Sequence, residues 1–376
     1  METLKTTMRK KAKTVFAKFS MPFTLASKAD EKLVLSVSSI DDVQFFITQK
    51  NDVAAVNFAF DALDGNNAVL ILETGEEAQK NIGVYIDDFA ESFGGPVKAF
   101  LPSDPAIFKF LKKRGAALVD SVGIATAGRS IDEAICNMEV LLKSNIIKDF
   151  IGQNVSTIAR YAQKMNRLYK SRSAKNQKRL RQSEVFGAIP KTQKLAGKET
   201  LASLVFYLRK LSSEDMVQGS RGLISVRHGD NMFITPYGIS PDFIEEKDIV
   251  KASLIRRCPT KNGLKLHKSV YEIREDVGAI IMAQPIYASV NASAMENLAV
   301  SERMQNIIGQ VVPVSEWAFP LSSRQAQNVV KELKNTNAVF MGCSGVLVVG
   351  KTLQDAFWIL SALEDECQKG RSEQDF

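Results

Sequence analysis

Arg221-Gly222-Leu223-Ile224-Ser225-Val226-Arg227-His228-Gly229-Asp230-Asn231-Met232-Phe233-Ile234-Thr235-Pro236-Tyr237-Gly238 is the stretch whose reading decides the fold. Ile224 and Val226 alternate with polar residues, as Phe233 does with its neighbours, which predicts two short strands folded on each other. His228-Gly229-Asp230-Asn231 supplies the turn, because Gly, Asp and Asn tolerate positive φ. Thr235-Pro236-Tyr237-Gly238 closes the second strand with another turn. On alternation alone this is a half-buried hairpin with no chemistry of its own.

With Asp248-Ile249-Val250 downstream, the stretch resembles the opening motif of the class II aldolase/adducin family. That motif runs Gly-Asn-(Ile/Met)-Ser-x-Arg, a short turn, Ile-Thr-Pro-Ser-Gly and then Asp-Ile-Val. Here it reads Gly222-Leu223-Ile224-Ser225-Val226-Arg227, Ile234-Thr235-Pro236-Tyr237-Gly238 and Asp248-Ile249-Val250, in the same order and spacing. Leu223 stands where the family has Asn, and Tyr237 where it has Ser. The resemblance implies that both positions, in the aldolases, help hold a substrate phosphate.

Further motifs of the family can be followed downstream. Cys258-Pro259-Thr260-Lys261-Asn262 lies where the aldolases carry Pro-Ser-Ser-Glu, so Thr260 and Lys261 fall on the phosphate-binding serines and Asn262 on the catalytic Glu. An amide cannot abstract a proton at neutral pH. His267, followed by Val270-Tyr271, matches a family His that belongs to a helix rather than to the metal. The strand Ala279-Ile280-Ile281-Met282-Ala283-Gln284 ends where the family has His-x-His, two imidazoles on one strand face aimed at one Zn²⁺. Here those positions are Met282 and Gln284, and the third ligand position, in Asn-His-Gly, is Ser344. The chain has only 2 histidines, His228 and His267, so no shift of register restores an imidazole triad. A class II aldolase relies on its metal to stabilise the enediolate. The resemblance therefore implies a three-layer α/β/α fold with a mixed or antiparallel sheet and a vestigial pocket. That pocket would hold Ser220, Gly222, Thr235, Gly238, Thr260, Lys261, Asn262, His267, Met282, Gln284 and Ser344, with no catalytic residue and no cofactor. A phosphorylated small molecule held by Ser220, Thr235, Lys261 and His267 is the enzymatic alternative.

A repeat extends the same reading to the first half. Ala116-Ala117-Leu118-Val119, Gly123 to Gly128 and Ser130-Ile131-Asp132-Glu133 return as Ala338 to Met341, Gly345 to Gly350 and Thr352 to Ala356. Gly123 pairs with Gly345, Gly128 with Gly350, Ser130 with Thr352 and Ala134 with Ala356, while Val122 falls on Ser344. Ser130 with Glu133 reads as a capping box. Both copies resemble the family's closing strand and helix, and Gly95-Pro96-Val97 fits its Gly-x-Pro-Val. The first half shows no clear opening hairpin in sequence, and it reads as a shortened copy. Lys5 to Phe19, Asp52 to Leu63, Glu76 to Phe93 and Pro105 to Lys113 have helical patterns, while Leu33 to Val37 and Ala68 to Leu72 read as strands.

Between the halves, every charged residue from Arg160 to Arg181 is Lys or Arg. A solvated connecting helix and an anion- or nucleic-acid-binding surface through Lys175, Lys178, Arg179 and Arg181 both account for this. The net charge of +7 over 376 residues is thus local. The division expected is a basic segment 1–29, a shortened domain 30–159, a basic linker 160–198 and a fuller domain 199–376. No run of 18 apolar residues exists, so no membrane span is expected. The 4 cysteines, without paired spacing, suit a reducing, cytoplasmic compartment. The family's habits add the expectation of a homo-oligomer.

Overall fold

The computed structural model describes residues 2–28, 31–39, 42–47, 53–74, 80–151, 157–171, 198–219, 221–238, 241, 244–255 and 264–372. The chain divides into two compact units. The first gathers residues 1–84, 89–145 and 161–166; the second gathers 85–88, 146–160 and 167–376.

The first unit is built on β1 (Phe23–Lys28), β2 (Lys32–Ser39), β3 (Asp42–Phe46), β4 (Ala68–Leu72), β5 (Ala99–Phe100), β6 (Ala116–Val119) and β7 (Gly123–Gly128). They form one sheet in the order β3-β2-β1-β4-β7-β6-β5. Every pair is antiparallel except β5 with β6. The side chains of β4 alternate between two cores. Val69 and Ile71 join the helices Ala54–Ala62 and Ile107–Arg114, while Ala68, Leu70 and Leu72 join Met8, Ala12 and Val15 of the helix Glu2–Phe19. Helices on both faces of a mixed sheet make three layers.

The second unit repeats this plan. Its strands are β8 (Leu223–His228), β9 (Asn231–Ile234), β10 (Val250–Ser253), β11 (Ala279–Ala283), β12 (Leu298–Ala299), β13 (Val311–Val312), β14 (Val314–Ser315), β15 (Ala338–Met341) and β16 (Gly345–Gly350). The main sheet runs β10-β9-β8-β11-β16-β15-β14, with β14 and β15 its parallel pair. One face packs the helices Lys198–Ser213, Ile286–Ala294 and Leu353–Ser372; the other packs Leu264–Ile273 and Ser323–Glu332.

The duplication reaches atomic detail. Leu72 pairs with Ile124 as Ala283 pairs with Val346, and Ala68 with Gly128 as Ala279 with Gly350. The Ala99 amide donates to Asn81 Oδ1 at 2.9 Å, and the Val314 amide to Asn297 Oδ1 at 2.8 Å. Ser121 and Cys343, just before the matched turns, both take left-handed backbone, φ 58° and 53°. The Glu133 amide donates to Ser130 Oγ at 3.3 Å, and the Asp355 amide to Thr352 Oγ1 at 3.1 Å. Only the second copy closes the reciprocal box on the cap residue itself, its Thr352 amide donating to Asp355. In the first copy the return bond comes from Arg129.

Three sequence expectations are corrected here. The first half does have its opening hairpin, β1 with β2, which pair from Phe23 against Val37 to Lys28 against Lys32. Its copy is therefore a full sheet rather than a shortened one. Phe23 to Ala26 are all buried, so the alternation that betrays a one-sided strand is missing. In consequence the segment 1–29 does not stand apart, since its helix and β1 both build the first unit. Finally, of the helix expected over Glu76 to Phe93, the described residues 80–93 form only Asp87–Phe93. Before it, Ile82 bridges Val97, the counterpart of β12 pairing with β13. The linker candidates Lys175, Lys178, Arg179 and Arg181 lie outside the described residues.

Gly123 and Gly345 share a φ of 121°. A Cβ on Gly345 would sit 2.5 Å from the Ala283 carbonyl oxygen, and one on Gly123 would meet the Leu72 carbonyl oxygen closer still. Gly229, in the β8–β9 turn, also has positive φ, but a Cβ there meets open space. Gly345→Ala and Gly123→Ala should each cost about 3 kcal/mol or more, and Gly229→Ala about 1 kcal/mol. Denaturant titration of the three variants checks the ranking; equal losses would contradict it.

Candidate functional site

The motif hairpin places its polar residues against its own scaffold. Arg227 donates from Nε to the Val277 carbonyl at 3.0 Å, and from its Nη2 to the carbonyls of Tyr271 and Arg274 at 2.8 and 2.9 Å. Its guanidinium lies 4.7 Å from the Tyr271 ring centre. A cation at the end of the helix Leu264–Ile273 meets the carbonyls that the last turn leaves without intrahelical partners. The arginine of the motif is thus spent on fastening a helix.

Ser225 Oγ lies 2.7 Å from His267 Nδ1 and 3.0 Å from the Tyr271 hydroxyl. All three side chains are sealed from solvent. Among the described residues His267 Nε2 has no hydrogen-bond partner. Burial alone drives the His267 pKa down to about 3, and burial pushes the Tyr271 phenol up. Both side chains stay neutral at physiological pH. A Ser–His pair with no route to solvent is a packed polar knot rather than a nucleophile with its base.

Where the family pattern places phosphate and metal, the side chains close on one another. Leu223, Tyr237 and Met282 all belong to one apolar cluster, together with Leu266, Ile280 and Leu347. Leu223 is completely buried, Tyr237 and Met282 nearly so. Tyr169, from the helical residues 162–171, packs against the cluster with its ring edge-on to Tyr237, centroids 6.2 Å apart. Arg221 stacks over the other ring, its Cζ 4.5 Å from the Tyr169 centre, and donates to the Asp88 carbonyl at 2.6 Å. Gly222 is pinned beneath Val217, where an added Cβ would lie 2.6 Å from a methyl group. Thr235 is buried, its hydroxyl accepting the Ile224 amide at 3.0 Å. Gly238 turns the chain at φ 84°.

At the end where the family pattern has metal ligands, Gln284 is buried and its backbone N–H donates to the Met216 carbonyl at 3.1 Å. Ser344 donates its hydroxyl to the Asp87 carboxylate, and the Asp87 amide donates to the Cys343 carbonyl at 2.8 Å. Asp87 and Asp88 belong to the short segment 85–88 of the second unit. The structure therefore gathers Gly222, Thr235, Gly238, Met282, Gln284 and Ser344 at one end of the second sheet, and places His267 in the knot beneath it. Ser220, Thr260, Lys261 and Asn262 lie outside the described residues.

Sequence reasoning missed Asp87, Asp88, Arg221 and Tyr169 as parts of this site. Asp87 and Asp88 were hidden inside a helical pattern, and Tyr169 in a basic stretch. One signal was available: an Asn-to-Leu and a Ser-to-Tyr exchange on one motif call for an apolar cover.

The comparisons with known proteins follow this geometry. Residues 202–369 match the model of the Class II Aldolase and Adducin N-terminal domain. Through its second half, the chain belongs to the class II aldolase and adducin family. It is similar to the L-fuculose phosphate aldolase of Methanococcus maripaludis, 25% identical over 173 residues that cover 45% of this chain and 94% of that one. The corresponding aldolase of Methanocaldococcus jannaschii is 26% identical over 164 residues, 43% of this chain and 89% of the relative. Among solved structures, an L-fuculose 1-phosphate aldolase is 30% identical, with 48% of this chain and 89% of that chain covered, at a TM-score of 0.45.

A zinc ion is what the family would bring to this place. The donor set here is a thioether inside an apolar cluster, a carboxamide and a hydroxyl already given to a carboxylate. It does not fit a tetrahedral zinc site, which is built from thiolate, imidazole and carboxylate. Among the described residues no group of three or more His, Cys, Asp or Glu converges. Nor, among them, is any helix long and apolar enough to cross a membrane.

The buried imidazole makes a pH prediction. The folded pKa of His267 lies below the unfolded value, so the unfolded chain takes up the proton first. Its stabilising contribution is complete above about pH 6.5 and is lost as pH falls towards 3, by up to about 1.4 kcal/mol per unit. Urea titrations between about pH 7 and pH 5, above the range where carboxylates protonate, should show this slope. His267→Gln should flatten it; an unchanged slope would place the titration elsewhere.

Proposed function

We propose that the second unit is a pseudo-aldolase, a family member that binds or scaffolds rather than cleaving a carbon–carbon bond. The observation that carries this reading is the single apolar cluster holding Leu223, Tyr237 and Met282. The family resemblance puts phosphate-holding positions at two of these and a metal ligand at the third. Asn262 at the position of the general base supports the same reading from sequence. So does the donor set of Met282, Gln284 and Ser344, which offers no thiolate, imidazole or carboxylate of its own. The pocket would then take neither zinc nor a sugar phosphate, and the molecule would act through its surfaces, including contacts between copies.

Metal analysis of the purified full chain, together with cleavage assays on ketose 1-phosphates with and without added Zn²⁺, tests this. The expected outcome is sub-stoichiometric zinc and no turnover. One tightly held equivalent of zinc with aldol cleavage would establish a lyase with rebuilt ligands. A second measurement addresses the closed pocket directly. Returning Leu223→Asn should cost about 3 kcal/mol, because an amide replaces an apolar side chain in a sealed site. A Leu223→Asn variant as stable as the parent would mean that the position faces an open, hydrated pocket.

A further inference from the structure

The second unit carries another concavity, at the far end of β16. The old pocket lies where β16 begins, at Gly345; this groove, of about 640 Å³, lies where it ends, at Gly350 and Lys351. Its walls come from the helices Lys198–Ser213 and Leu353–Ser372, with Asn306 and Asn337 on its floor. A smaller hollow of about 340 Å³ continues it, sharing Asn306, Ile307 and Asn337.

The lining is unusual in two respects. First, aromatic rings form a connected row. Tyr207, Phe357 and Trp358 line the groove, the Tyr207 and Phe357 rings stand 5.7 Å apart, and Phe206, outside the lining, packs 5.3 Å from Tyr207. Phe206 is 60% and Trp358 49% exposed, so large rings are presented to water instead of being packed away. Second, the charge is one-sided. Lys210 and Lys351 line the groove and Lys334 its extension, where Arg274 is already paired with Asp276 at 2.8 Å. Asp355 is the one acidic residue among the lining residues of both, and its carboxylate is engaged by the Thr352 amide and hydroxyl at 3.0 and 2.9 Å. Across the whole chain Lys+Arg and Asp+Glu are nearly balanced, 49 against 42, so the excess here is local.

Flat rings beside cations, with the amides of Asn306, Asn337 and Gln354 between them, match a ligand that repeats an aromatic base and a phosphate. Lys210 already lies 4.4 Å from the Phe357 ring centre, which shows cation and ring presented at one place. The groove and its extension, joined at Asn306, Ile307 and Asn337, form one continuous track. The helix that supplies Tyr207 and Lys210 also follows directly on the basic linker in sequence. We propose that this groove binds single-stranded nucleic acid, bases stacking on Trp358 and its neighbours and phosphates meeting Lys210 and Lys351. The site stands whether the old pocket is catalytic or closed.

The test uses the full chain and a labelled oligothymidylate of about a dozen nucleotides, within the length that one stacking groove engages. Binding should follow fluorescence anisotropy, weaken steeply between about 50 and 200 mM salt, and quench tryptophan emission. The double variant Phe206→Ala/Trp358→Ala should lose about tenfold or more in affinity, and Lys351→Glu should weaken binding and flatten the salt dependence. Changing Lys175, Lys178, Arg179 and Arg181 to Ala should lower affinity yet leave the quenching of Trp358 in place. Circular dichroism of each variant confirms folding. Absence of binding overturns the proposal, as does binding that only the linker variant reduces. AMP displacing the strand at equal concentration would assign the groove to a free nucleotide instead. Self-association abolished by the double variant, with no strand bound, would make the face an interface between copies.

Discussion

A backbone with no room for a side chain holds each sheet shut. At Gly345 the chain leaves the left-handed Cys343 and enters β16 so close to β11 that a Cβ would strike the Ala283 carbonyl. The same approach occurs at Gly123 against Leu72. This contact fixes the register between two central strands, and so it fixes everything at that end of the second sheet. Met282 on β11, Gln284 just after it and Ser344 just before β16 are thereby brought to one end of the sheet, whatever their chemistry. The scaffold that would converge three imidazoles therefore still converges a thioether, an amide and a hydroxyl.

What fills the convergence point is decided collectively. Leu223, Tyr237 and Met282 come from three separate stretches, yet each is tolerable because the others are apolar or aromatic there. A lone Leu in a hydrated phosphate site would waste its burial, and a lone Asn or His in the present cluster would lose solvation without gaining partners. Arg221 shows the same logic at the edge. Its guanidinium meets a ring face and a peptide carbonyl, both supplied by the protein. Such coupling makes the apolar cluster self-consistent, and a polar residue placed alone at one of its buried positions should cost stability.

How much could be read beforehand follows from which signals are local. The repeat was legible because paired glycines, caps and an apolar strand recur in fixed spacing, and the two sheets share one strand order. The first hairpin was not legible, because Phe23 to Ala26 are buried on both faces and carry no alternation. In the site, the substituted motif positions were evident from sequence. Asp87, placed on Ser344 across 257 positions of sequence, was not, since nothing local to an Asp-Asp pair at a helix start announces a distant partner.

The knot of Ser225, His267 and Tyr271 shows that part of the motif serves the scaffold. Ser225 and Arg227 belong to the same short motif as Leu223, and they hold the helix Leu264–Ile273 by hydrogen bonds within the protein. Losing either would leave buried polar groups unpaired, at a cost of about 1–3 kcal/mol each. Leu223, two residues before Ser225, shares its strand face and packs with Leu266 and Tyr271 of the same helix, so one face carries both the hydrogen-bonded knot and the apolar cluster. The motif strand thus fastens the helix Leu264–Ile273 in two ways, by apolar packing at Leu223 and by hydrogen bonds at Ser225 and Arg227.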